Sequence, residues 1–215
     1  MTEQKKELKK LVDDLLNLDY KSNTFLNKKH EINVKSFLLS KNFRQIIKIS
    51  SKGKKRDLQT LEWRSYNSLS YNESFKNEKW FIEQPFGSRQ SPDFIICLNG
   101  LIVFLECKSS EKDKITWNSG FPRVNVLYIF TSQKYNYSTL FFGQSTEILE
   151  KNPNFEKEYD DLDKKYKEEM SNIFSNMFDT ENFSFYMRRM LNDGTHYCDE
   201  NQRNYFYKEL SNILS

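Results

Sequence analysis

Ser91-Pro92-Asp93-Phe94-Ile95-Ile96-Cys97-Leu98-Asn99-Gly100-Leu101-Ile102-Val103-Phe104-Leu105-Glu106-Cys107-Lys108 is the stretch whose reading decides the fold. Phe94 to Leu98 and Leu101 to Leu105 are apolar runs of strong β propensity. Between them stands Asn99-Gly100, a pair suited to the two positive-φ positions of a type I′ turn, so the stretch reads as a β-hairpin. If Leu98 pairs with Leu101, the register runs outward to Phe94 with Leu105 and brings Asp93 opposite Glu106. Side chains alternate along a strand, so Lys108 shares the face of Glu106 one pleat further on. The open end of an otherwise uncharged hairpin thus carries two facing carboxylates and an ammonium. Facing carboxylates repel across a ladder. A hard divalent cation such as Mg²⁺ would relieve that repulsion and keep waters for chemistry. Lys108 is then suited to orient or deprotonate a water and to offset phosphate charge.

Helices are expected on either side. Leu8, Leu11, Val12, Leu15, Leu16 and Leu18 recur at near-helical spacing, and a second helix is expected from Glu31 to Ile49. The basic loop Ser50 to Arg56 leads to a third helix expected over Asp57 to Asn72, with Asp57 as cap. Trp80-Phe81-Ile82 opens a strand ending near Pro85. Val126 to Thr131 and Thr139 to Phe142 read as two more strands, followed by helices over Asn154–Met177, Phe183–Leu191 and Gln202–Leu214. The continuous apolar runs suit a sheet covered on both faces. The expected class is α/β, a small mixed sheet flanked by helices with extra helices at both termini. The chain reads as a single domain, 1–215, with a core at about 57–145 and helical parts at 1–50 and 154–215.

Composition narrows the function. Among 215 residues, 18 Phe and 12 Tyr supply enough apolar surface for a core, which excludes global disorder. The 33 basic and 30 acidic side chains leave only +3, so any nucleic-acid surface must come from local segregation of charge. Cys97, Cys107 and Cys198 include no CxxC pair and read as thiols rather than a zinc site or a disulfide framework. Two histidines, His30 and His196, leave little material for a histidine-rich metal site or a Ser–His–Asp triad. No run approaches the ~20 apolar residues of a membrane span and the first ten residues are charged throughout, so a soluble cytoplasmic protein is expected.

Ser91-Pro92-Asp93 followed after a hairpin by Glu106-Cys107-Lys108 resembles the PD-(D/E)xK nuclease motif, and the stretch from about Trp80 to Gly143 looks like the core of a small type II restriction endonuclease. The resemblance covers about a third of the chain. It implies a restriction-endonuclease-like fold, Mg²⁺-dependent hydrolysis of double-stranded DNA and a homodimer acting on symmetric sites. It also implies Asp93 and Glu106 as metal ligands, the Cys107 carbonyl as a further ligand and Lys108 as the catalytic lysine. Many relatives add a carboxylate from the preceding helix. Glu62 is the candidate here, with Glu73, Glu78 and Glu83 as competitors. A helix commonly follows the catalytic lysine in that family, whereas this chain has a polar, Gly- and Pro-broken stretch.

The flanks supply DNA-contact candidates. Arg89 and Gln90 lie just before the motif, with side chains suited to phosphate or to base edges. In the long loop after Lys108, Lys112, Lys114 and Arg123 are suited to phosphates, and Asn118 and Ser119 to bases or water. Trp117 suits either a loop anchor or a stacking platform. Two other functions share these residues: a structure-selective nuclease of repair, recombination or phage origin, and a non-catalytic DNA-binding protein on the same scaffold.

Overall fold

The computed structural model describes residues 3–18, 27–46, 65–87, 91–112, 114–117, 121–132, 134–135, 137–177, 191–192 and 200–213. In chain order these form α1 (Glu3–Leu16), α2 (Asn27–Ser40), β1 (Arg44–Ile46), β2 (Lys79–Glu83), β3 (Phe94–Leu98), β4 (Leu101–Ser110), β5 (Thr116–Trp117), β6 (Leu127–Ser132), β7 (Tyr137–Phe142), α3 (Glu147–Lys151), α4 (Phe155–Met177), β8 (Leu191–Asn192) and α5 (Glu200–Ile213), with short 3-10 turns between some of them. Six strands make one mixed sheet in the order β1-β2-β3-β4-β6-β7, and β5 and β8 pair apart from it. The architecture is α/β, as expected.

The hairpin has the register its turn dictates. Phe94 pairs with Leu105 and Leu98 with Leu101, and Asn99 and Gly100 both have positive φ, 50° and 89°. Gly100 is needed twice over, because a Cβ there would also strike the Tyr71 ring and the Asn72 carbonyl. β3 is buried along its whole length, as a strand covered on both faces should be. One face carries Phe94, Ile96, Leu98, Leu101, Val103 and Leu105 against Leu8, Val12 and Leu15 of α1, Val34 and Leu38 of α2, and Phe206 and Leu210 of α5. The opposite face is covered by two smaller clusters, one around Trp117, Tyr128 and Phe130, the other around Trp80, Ile82, Ile95 and Ile102.

Three expected elements differ. The helix expected over Glu31–Ile49 starts earlier, at Asn27, and ends at Ser40. Asn42, at φ 63°, turns the chain, and Arg44–Ile46 then joins β2 as a parallel edge strand. The helix expected over Asp57–Asn72 does not exist in its described part. Residues 65–72 run beside the first half of β4: Leu69 N–H donates to the Ile102 carbonyl, Ile102 N–H to the Ser70 carbonyl and Asn72 N–H to the Gly100 carbonyl. β4 takes up β6 only from Leu105 onward. Its earlier edge would otherwise bury unpaired backbone groups, and this segment satisfies them. The helix expected over Phe183–Leu191 reaches the described residues only at Leu191, which is strand and pairs with Trp117.

Candidate active site

β4 changes partner in mid-course. Its first half pairs with β3 and its second half with β6. Asp93 precedes the first residue of β3, and so sits where the two pairings diverge. Its N–H donates to Glu106 Oε2 at 3.1 Å, while its own Oδ2 accepts the N–H of Cys107 at 2.8 Å. The expected facing pair is therefore present and hooked together through the backbone. Lys108 Nζ lies 2.7 Å from Glu106 Oε1, with only 15 % and 9 % of the two side chains exposed, too little for water to screen the pair well. Asp93, Glu106 and Lys108 share the sheet face opposite α1 and α2.

The electrostatics follow from this crowding. Burial first, and Glu106 second, push the Asp93 carboxyl up to about 8, against the help of the Cys107 N–H; Glu31 pushes the same way. Burial opposes the charge on Lys108, but Glu106 and Asp93 more than offset it, and its pKa lies above the ordinary lysine value. Lys108 is thus a cation at neutral pH, suited to hold negative charge rather than to take a proton from water. The Cys107 thiol packs against the helix-side core and is pushed well up by burial. It stays a thiol, which leaves Cys107 only its backbone to offer a hard cation.

A third acid, absent from the sequence expectations, belongs here. Glu31 of α2 receives Gln84 Nε2 at 3.4 Å. Its carboxyl is raised by burial and, beyond that, by Glu106 and Glu83. Gln84 also ties the end of β2 to the site by donating its N–H to the Asp93 carbonyl at 2.7 Å. The signal available in the sequence was positional. Glu31 is the sole acid of α2 and stands three and seven residues before the buried Val34 and Leu38, on the flank of the helix that meets the sheet.

Other expected residues fall elsewhere. Glu62, Arg89, Gln90, Asn118 and Ser119 lie outside the described residues. Glu73 pairs with Lys76, Glu78 with Arg44, and Glu83 with Lys35, which accounts for the competitors of Glu62. Lys112 and Lys114 are exposed beyond the end of β4. Arg123 is also exposed and lines a cavity described below. Trp117 is an anchor rather than a platform. It is buried edge-to-face on Tyr128, and the Lys108 ammonium lies 5.7 Å from its ring.

Among the described residues no three acidic, histidine or cysteine side chains converge to hold an ion as they stand. Both Glu106 oxygens and one Asp93 oxygen are turned toward N–H donors. Asp93, Glu106 and Glu31 act on one another, with Lys108 as the cation among them. Compared with protein-family models, with curated proteins and with solved structures, the chain matches none.

Proposed function

We propose that the chain is a divalent-metal-dependent DNA endonuclease with a restriction-endonuclease-like core, belonging with the PD-(D/E)xK enzymes. The observation that carries this is the Asp93–Glu106 pair, joined across the point where β4 leaves β3 for β6, with Lys108 on the same face. A solvated strand end has no use for two carboxylates buried against each other, one of them pushed well above its ordinary range by burial and by the other. Mg²⁺ is the ion suited to oxygen donors of this kind, and Asp93, Glu106 and the Cys107 carbonyl are the groups that would hold it. An ion held by those groups would supply an activated water and offset charge on the scissile phosphate.

The protein's own residues do the rest. Lys108, charged and walled by Trp117, stabilises the charge that develops on the phosphate oxygens. Glu31 and Gln84 set the position of the Asp93 segment from the α2 side. Sequence-specific cleavage by a homodimer is part of the reading. Leu162, Tyr166 and Ile173 are exposed on α4, spaced four and seven residues apart, and offer a second copy an apolar stripe.

The test is supercoiled plasmid and phage DNA incubated with wild-type protein and with Asp93→Ala, with Mg²⁺ and with chelator. Discrete fragments that need both Mg²⁺ and Asp93 are expected. Cleavage confined to junctions, flaps or unpaired positions would move the substrate to irregular DNA, and metal-independent binding without any cleavage would leave a binding protein.

A further inference from the structure

Among the described residues, the cover of the sheet face that carries Asp93 and Glu106 is not continuous. Among those residues its two apolar clusters share Phe104 alone, which packs against both and stays partly exposed in mid-strand. Over that ring lies an open cavity of about 340 Å³. Phe86, Pro92, Phe104 and Val126 make its apolar walls, and Asn67, Arg123 and Asn125 stand on its rim. Phe104 is two residues before Glu106 on the same face, about 7 Å along the strand, and Pro92 adjoins Asp93. The cavity therefore opens beside the acid pair.

The wall is built before any ligand arrives. Ser68 Oγ bridges β4 to the facing loop, accepting the Phe104 N–H and donating to the Asn125 carbonyl at 2.6 Å. Asn125 N–H donates to Gln144 Oε1 at 2.8 Å, and Gly143 N–H to the Val126 carbonyl at 3.0 Å. Arg123 passes so close over Gly143 that a Cβ there would collide with its backbone. Against these fixed walls, several polar groups lack partners. The Ser91 hydroxyl, which also lines the cavity, is buried with no hydrogen bond. Among the described residues no protein group bonds the side-chain amides of Asn67 or Asn125, which are exposed. These two amides are open to a ligand at the rim, whereas the Ser91 hydroxyl is buried behind the wall.

Resting on the nuclease reading, we infer that this cavity receives one unstacked nucleobase of the bound DNA strand. The volume sits at the lower end of small-ligand sites, roughly 300–1,000 Å³, the scale of a base with its sugar rather than of a large cofactor. Aromatic and proline walls suit a π-face, while the two asparagine amides at the rim present donors and acceptors to a base edge. A phosphate would meet mostly carbon inside and finds its partner only at the rim, in Arg123. Extruding a base costs a few kcal/mol, least where the base is already unpaired, so the substrate favoured is duplex DNA with an unpaired or readily extruded nucleotide.

The test compares affinities, in chelator so that nothing is cut, for duplexes carrying a single bulged nucleotide and for the same duplexes with an abasic bulge. Both interrupt the duplex at the same place, and only one offers a base. Stacking worth about 1–3 kcal/mol per base predicts 5- to 150-fold tighter binding of the base-bearing duplex. Val124→Trp, at a half-exposed position on the cavity mouth, should abolish that preference. Asn67→Ala, also exposed, should weaken it without disturbing the fold. Equal affinities for the two duplexes, or a preference that survives Val124→Trp, would overturn the inference. Cleavage is measured separately with Mg²⁺. A base-dependent preference without cleavage sinks the nuclease reading and leaves the cavity assignment. Efficient cleavage without the preference does the reverse.

Discussion

The two faces of the six-stranded sheet alternate along the same strands and are filled by opposite rules. On the α1–α2–α5 side, Phe94, Ile96 and Leu98 of β3 and Leu101, Val103 and Leu105 of β4 form one unbroken apolar surface sealed by helices. On the other side, Ile95, Ile102 and Phe104 give way to Glu106 and Lys108, the cover splits into two clusters and a cavity opens between them. The first face supplies most of the buried area and hence most of the stability. With the fold secured there, the second face can hold a repulsive carboxylate pair and an incomplete cover. Substitutions should therefore sort by face: those on the helix side lower stability and leave chemistry alone, those on the open side lower activity without lowering stability.

The largest effect should come from the open face. Glu106→Gln keeps the volume and leaves Lys108 an oxygen partner, but removes a charge from the centre of the site. Plasmid cleavage should fall by about 10³-fold, or ~4 kcal/mol of transition-state stabilisation, with an unchanged far-ultraviolet circular dichroism spectrum. A variant that cleaves normally would show that the open face does no chemistry at this position.

Next is a helix-face change. Ile96 is fully buried, and Ile96→Ala should cost about 2–5 kcal/mol in urea denaturation through lost burial and a residual cavity. Cleavage per folded molecule should stay within about twofold. A matching loss of specific activity would mean that the two faces are mechanically coupled, and the contrast between them would break.

How much of this was readable beforehand depends on how local each determinant is. The hairpin was readable because Asn99-Gly100 fixes its own turn and the turn fixes the register, so the Asp93–Glu106 contact followed from neighbouring residues. β1 was not, because Arg44-Gln45-Ile46 continues the apolar spacing of α2, and only its pairing with β2 distinguishes strand from helix. Residues 65–72 misled for a related reason. Their conformation is set by the unpaired edge of β4, some thirty residues on, and not by their own propensities. Glu31 joins a site whose other members lie more than fifty residues away along the chain, so nothing near it in sequence announces its role.

Glu31 tests the border between the faces, because it belongs to the helix layer yet acts on the acid pair. Glu31→Gln keeps the hydrogen bond with Gln84 and removes the charge. Cleavage should fall about tenfold, ~1.4 kcal/mol, and the Mg²⁺ concentration for half-maximal cleavage should rise. An unchanged Mg²⁺ dependence would assign Glu31 to packing alone.

The smallest shift is one of stability and is the most diagnostic, because it runs against the usual direction of a buried substitution. The Asp93 carboxyl has an ordinary value of 3.8, and burial beside Glu106 raises it to about 8 in the folded chain. Between those limits the folded state holds a proton that the unfolded state has released. Asp93 therefore contributes a stability term that is present in full below about pH 4 and is lost as pH rises toward 8. Asn lacks that titration and can still accept the Cys107 N–H. Asp93→Asn should abolish cleavage yet raise Tm at pH 8 by about 2–4 °C for each kcal/mol relieved, while at pH 4 the two proteins should melt together. Mg²⁺ should narrow the gap by raising the Tm of the wild type more than that of the variant. If the variant melted lower than wild type at every pH, the acid pair would be a source of stability, and the open face would be one more piece of the fold.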